Sequence, residues 1–183
     1  MAKDVNKLPD IISELKKIQK SRIIAGVLAP DDSEQAIIAG ANEFGASFIV
    51  SEKMRKAIMA KLLDAGRKDL IKMIPAIGSV INIPERSFIT HTFKDPTAID
   101  NLFKFISFGI DQIIAGKGDA EKTMKAGLSS MVSSIQKRIT DDIEPSNHPI
   151  TVAIKGSTGT LRDTGRLVQS ISGRVEGAVS ISV

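Results

Sequence analysis

Asp163-Thr164-Gly165 is the stretch of this chain that points most directly to a reaction. Aspartic proteases use Asp-Thr-Gly to present paired carboxylates that share one proton. Only one copy is present, so that chemistry would require a homodimer, and Arg162 and Arg166 flank it where protease segments are apolar. Capping of a short helix accounts for Asp163 and Thr164 without any reaction. A dimeric aspartic protease therefore stays a remote alternative. Gly116-Lys117-Gly118 lacks the spacing of a phosphate-binding loop, and no Gly-x-Gly-x-x-Gly opens a helix after a strand. His91 and His148 stand apart from any His or carboxylate at metal-ligand spacing. No serine sits in a nucleophile elbow. The expectation is a non-enzyme with no catalytic residue, no cofactor and no metal.

Composition narrows the classes further. The 183 residues are 42% hydrophobic and 25% charged, ordinary values for one globular domain spanning 1–183. With no cysteine, disulfide scaffolds and thiol catalysis are excluded. Seven Phe and no Trp or Tyr leave few platforms for stacking on nucleic-acid bases. The N-terminal Met1-Ala2-Lys3-Asp4-Val5-Asn6-Lys7 lacks the apolar core of a secretory signal. The longest apolar run, Leu102 to Ala115, is broken by Lys104 and Asp111, so no membrane span is expected. A chain made in the cytoplasm, and kept there or assembled there into something larger, is the expected compartment.

Hydrophobic spacing then sets out the elements. Leu8, Ile11, Ile12, Leu15 and Ile18 predict an amphipathic helix over 7–20, with Lys16, Lys17 and Lys20 at its C-terminal end. A buried strand over 22–29 follows, then a helix over 34–43 that stops at Gly45. Ser47 to Val50 reads as a short extended piece. Ser51 caps a helix running to about Gly66, whose outer faces carry Lys53, Arg55, Lys56, Lys61 and Arg67. Leu70–Ile74 and Ser79–Ile83, joined by Pro75-Ala76-Ile77-Gly78, predict a hairpin. Phe88 to Lys94 reads as a helical turn or two, and Pro96 starts the next helix.

That next helix, Thr97 to Ala115, is apolar around most of its circumference. It is expected to be the central core helix, or to be covered by neighbouring subunits. Met124, Leu128, Met131, Ile135 and Ile139 form a clean stripe on a helix over 119–142, about 36 Å long. Glu144 to Pro149 reads as a loop and Ile150 to Ile154 alternates weakly. Asp163 or Thr164 caps a short helix through about Ile171, and 174–183 reads as a final strand.

Three stretches in a fixed order carry a family resemblance. They are Asn42-Glu43-Phe44-Gly45, Ile83-Pro84-Glu85-Arg86-Ser87-Phe88, and Leu161-Arg162-Asp163-Thr164-Gly165-Arg166-Leu167 with Ser170-Ile171 behind it. Together with Ser51-Glu52-Lys53-Met54-Arg55 and Lys155-Gly156-Ser157, they resemble a family of tailed-bacteriophage proteins called virion morphogenesis, neck, minor tail or tail-completion proteins. The likeness covers about Arg22 to Val175.

The resemblance implies an α+β fold, a small mostly antiparallel sheet packed against several helices, two of them long. It implies a structural virion protein at the head–tail junction, in a ring of identical subunits, without a membrane. One side of that ring would meet the portal or connector and the other the tail tube or tail terminator. Nonspecific contact with packaged DNA fits the same place. In such a subunit Asn42, Glu43, Phe44, Gly45, Pro84, Glu85, Arg86, Phe88, Asp163, Thr164, Gly165 and Leu167 would be structural or assembly residues. Pro84 ends its strand, because it supplies no N–H and disfavours helix at Ile83. Arg86 is expected to make a bidentate pair with a carboxylate, Glu43 or Asp163, and Phe88 to pack inward. The main alternative is a DNA-contacting adaptor that uses the basic segment 53–72.

Overall fold

The computed structural model describes residues 7–28, 33–141, 143–162 and 165–182. In chain order its elements are α1 (Leu8–Gln19), β1 (Ser21–Val27), α2 (Ser33–Glu43), β2 (Ala46–Ile49), α3 (Glu52–Asp64) and a 3-10 helix (Lys68–Met73). There follow β3 (Val80–Ile83), α4 (Phe88–Lys94), α5 (Pro96–Ile114), α6 (Ala120–Thr140), α7 (Pro149–Lys155), α8 (Arg166–Gln169), β4 (Ile171–Gly177) and β5 (Ile181–Ser182). The fold is α+β, with small antiparallel sheets packed against helices. No described helix is long and apolar enough to cross a membrane. Where one domain over 1–183 was expected, the chain packs as two compact units. The first comprises Met1–Asp32, Ile89–Lys137 and Ser170–Val183, the second Ser33–Phe88 and Arg138–Gln169.

In the first unit β1, β4 and β5 form an antiparallel sheet in that order, with Ser21 opposite Gly177 and Val27 opposite Ile171. The sheet packs on α6 at a glycine. A Cβ on Gly173 would lie 2.4 Å from Leu128 Cδ1 and 2.8 Å from the Ile24 carbonyl oxygen, so a larger residue has no room. Met124, Leu128, Met131 and Ile135 are buried along one stripe of α6, as their spacing predicts, and Ile139, in the second unit, is buried as well. The start of α6 is capped from α1: Glu14 Oε2 accepts the Ala120 N–H at 2.7 Å. The Lys17 ammonium and that N–H hold the Glu14 carboxyl below its ordinary value.

Residues expected to form the core helix of 97–115 behave differently. Within α5 only Ala98 and Ile113 are buried, whereas Phe103 and Phe108 are 61% and 64% exposed and Phe105 and Ile114 about half exposed. The core helix is α6. Adjacent apolar pairs such as Leu102-Phe103, Phe105-Ile106 and Ile113-Ile114 point about 100° apart and spread the α5 side chains around the axis, and one partner surface covers only part of that circumference.

The second unit holds the two-stranded antiparallel sheet of β2 and β3, with Ala46 opposite Ile83 and Ile49 opposite Val80. Its apolar cluster is Leu62, Leu70, Ile74 and Ile150. Here the expected hairpin of 70–74 with 79–83 is corrected. Residues 68–73 form a 3-10 helix, and β3 pairs with β2. Leu70 within this helix and Ile74 just after it are buried in one cluster with Leu62 and Ile150, while Lys68, Asp69 and Lys72 are exposed, and that packing overrides the β-branched composition. Ile150 to Ile154, whose alternation is weak, belongs to helix α7. Pro149 occupies its first turn, His148 Nδ1 accepts the Ile150 N–H at 3.3 Å, and Gly156 ends it at φ 68°. The C-terminal strand begins earlier than expected and doubles back, as β4 and β5, and α8 stops at Gln169 instead of about Ile171.

Candidate functional site

The site lies within the second unit, where two chain corners meet. The first is the end of α2. Phe44 N–H closes the helix on the Gly40 carbonyl, and Gly45 turns the chain into β2 at φ 71°. A side chain at Gly45 would be strained, and its Cβ would sit 3.1 Å from the Ile83 carbonyl oxygen. The second corner follows β3. Pro84 stops the strand, and the Arg86 N–H donates to the Asn42 carbonyl at 2.6 Å, joining one corner to the other.

Side chains complete the joint. Arg86 is buried, 6% exposed, and its Nε donates to the Pro145 carbonyl at 2.8 Å. Its Nη2 donates to the Ser146 carbonyl at 3.3 Å and its Nη1 to Asn42 Oδ1 at 3.5 Å. The expected bidentate pair with Glu43 is therefore replaced by neutral oxygens. The reason is local: the 145–146 loop brings carbonyls to the guanidinium plane, and the second expected partner, Asp163, lies outside the described residues. Burial lowers the Arg86 pKa from its ordinary value, and Glu144 nearby opposes that shift. An arginine so placed remains a cation at neutral pH. Ser87 Oγ lies 2.9 Å from the Glu43 carbonyl and also within hydrogen-bond distance of the Glu85 carboxylate. Glu43 itself is buried, and Phe88 is fully buried as expected.

Beside this joint opens a cleft of about 920 Å³. The structure brings Asn42, Pro84, Arg86, Gly165 and Leu167, from all three sequence stretches, to its lining. Glu43, Gly45 and Glu85 hold the joint behind it. Phe44 stands apart, 77% exposed on the surface. Asp163 and Thr164, expected to cap α8, lie outside the described residues. The inner face of the small sheet, Phe48, Ile81 and Ile83, forms an apolar wall of the cleft.

Two polar residues of the lining, Asn147 and Lys155, were not among the expected structural or assembly residues, although Lys155 lies in one of the stretches that carry the resemblance, and both order the loops around it. Asn147 Nδ2 donates to the Thr158 and Gly159 carbonyls at 3.2 and 3.0 Å. Lys155 Nζ donates to the Gly159 and Thr160 carbonyls at 2.9 and 3.4 Å. Their signal was the punctuation of Pro145, Asn147 and Pro149, which marks a loop that needs internal hydrogen bonds. Among the described residues, no group of three or more His, Cys, Asp or Glu is placed to hold a metal ion. No protein-family model matches the chain, and neither a curated protein nor a solved structure matches it.

Proposed function

We propose that the chain is a structural virion protein of a tailed bacteriophage. It would be a neck or tail-completion component that joins the DNA-filled head to the tail, working as a ring of identical subunits. The place in the virion rests on the resemblance of the three ordered stretches, which meet around one joint and cleft in the second unit. That the chain assembles at all rests on one observation. Helix α5 leaves Phe103, Phe105, Phe108 and Ile114 facing solvent in the single chain. Scattered exposed apolar residues are ordinary, but this many large ones on one 19-residue helix, Phe103 and Ile114 on one side and Phe105 and Phe108 on the other, mark surfaces that neighbouring chains cover.

The joint around Arg86 supports a structural role for the motif. Its polar atoms engage backbone carbonyls, which fixes the path of the chain. Light scattering and negative-stain microscopy of the purified chain test the proposal. Closed rings are expected, together with labelling of the head–tail junction by antibody in particles that contain the protein. A monomer at every concentration, or labelling elsewhere on the particle, would remove it.

A further inference from the structure

The sheet of β2 and β3 is short of a strand. Among the described residues it has two members, and no third strand lies along either outer edge. Two strands alone are marginal in water. Natural edges are blunted by charge, by proline or by a bulge. Ala46-Ser47-Phe48-Ile49 and Val80-Ile81-Asn82-Ile83 carry no charge and no proline between them. The outward face adds to the hazard, because the facing residues Ile49 and Val80 are 67% and 58% exposed. An edge this bare either aggregates or is covered.

The cleft says which edge and by what. Ile81, Asn82, Ile83 and Pro84 all line it, against Phe48 alone from β2, so it is the β3 side that borders the open space. At about 920 Å³ it lies near the top of the roughly 300–1,000 Å³ range of ligand clefts. Its floor is apolar, from Ile58 of α3 to Ile154 of α7. Its described charged lining is three cations, Arg86, Lys155 and Arg166, against one carboxylate, Glu34, which lies 3.3 Å from Arg166. Arg86 carries five N–H donors and uses three of them, leaving one on each terminal nitrogen.

We propose that this cleft receives an extended segment of a partner protein, which adds as a third strand beside β3. Alternate apolar side chains of the segment enter the cleft, and a carboxylate on it meets the cations around Arg86. The unprotected β3 edge favours a polypeptide over a small amphiphile, since only a backbone satisfies a row of N–H and C=O groups. The inference is independent of the virion reading, which concerns α5.

Panning a library of short random displayed peptides against the full-length chain tests it, with the best binder then synthesised in three forms. Enriched sequences are expected to alternate apolar and polar residues and to carry Asp or Glu. Methylating the edge-facing backbone nitrogens of the synthetic peptide should weaken binding at least about tenfold, as should amidating its acidic side chain. Hydrogen exchange of the Val80 and Asn82 amides, which face the open edge, should slow in the complex. Three results would overturn the proposal: no enrichment, enrichment without alternation or acid, or binding indifferent to methylation. Sodium dodecanoate gives the decisive contrast. Saturable binding of that amphiphile by a chain that enriches no peptides would assign the cleft to an apolar acid instead. Because every change is made in the ligand, loss of binding cannot be confused with unfolding.

Discussion

Helices α5 and α6 follow one another, are nearly the same length and are both rich in apolar residues, yet they behave as opposites. In α6 the apolar residues form one stripe, and each member of it is buried. In α5 they are more numerous, and while Ile99, Leu102, Ile106 and Ile110 are half-buried, Phe103, Phe105, Phe108 and Ile114 are left exposed. A stripe about 100° wide can be satisfied by the chain's own sheet and neighbouring helices. A helix apolar around most of its girth has more surface than one contact can take up. The number of apolar residues therefore indicates how many surfaces a helix needs, and their arrangement indicates how many its own chain supplies.

Substitutions that separate folding from assembly can break this contrast. The largest expected effect is in α6: Leu128→Ala should cost about 2–5 kcal/mol in urea denaturation, as a fully buried side chain leaves a cavity against the sheet. Next is Arg86→Ala, which removes a buried guanidinium and its hydrogen bonds to the carbonyls of residues 145 and 146 and should cost about 1–3 kcal/mol. A soluble variant with an unchanged melting curve would show that the Arg86 joint does not support the fold.

Smaller effects on stability are expected where the assembly reading places its contacts. Phe103→Ser with Phe108→Ser should leave the unfolding of a single chain within about 0.5 kcal/mol per site, while light scattering shows the assembly lost. A clear loss of single-chain stability would instead place those rings in the chain's own core. The smallest effect belongs to Glu14. Its carboxyl is held below its ordinary value in the folded chain, so its contribution is present at neutral pH and fades as pH falls through the folded value. Glu14→Gln should therefore cost under about 1 kcal/mol at pH 7 and nothing in strong acid, read from paired melting curves.

Legibility in the sequence followed the kind of interaction. Elements set by local spacing or local chemistry were readable: the α1 stripe, the Ser51 cap whose Oγ accepts the Met54 N–H at 3.1 Å, the Gly45 turn, and Pro96 opening α5. Partnerships between distant residues were not. Val80–Ile83 reads as a strand from its own composition, but nothing in it distinguishes Leu70–Ile74 from Ala46–Ile49 as the neighbour. The site divides in the same way. The two corners were visible as Asn42–Gly45 and Ile83–Phe88, and the burial of Phe88 followed from its setting. That Arg86 would bind carbonyls of a loop some sixty residues away depends on a tertiary path that no local signal carries.

The pairing of β1 with β4 has a consequence for synthesis. Residues 21–27 find their partners only at 171–177, and the second unit's segments lie between them in the chain. On the ribosome, β1 emerges early and waits through almost the whole of translation with its hydrogen-bonding edge unmatched. The second unit's first segment, by contrast, has its β2–β3 pair within reach after fewer than forty residues. The inner unit of the sequence can thus begin to fold before the outer one is able to close, and a nascent chain stalled short of residue 170 should expose β1 to chaperones.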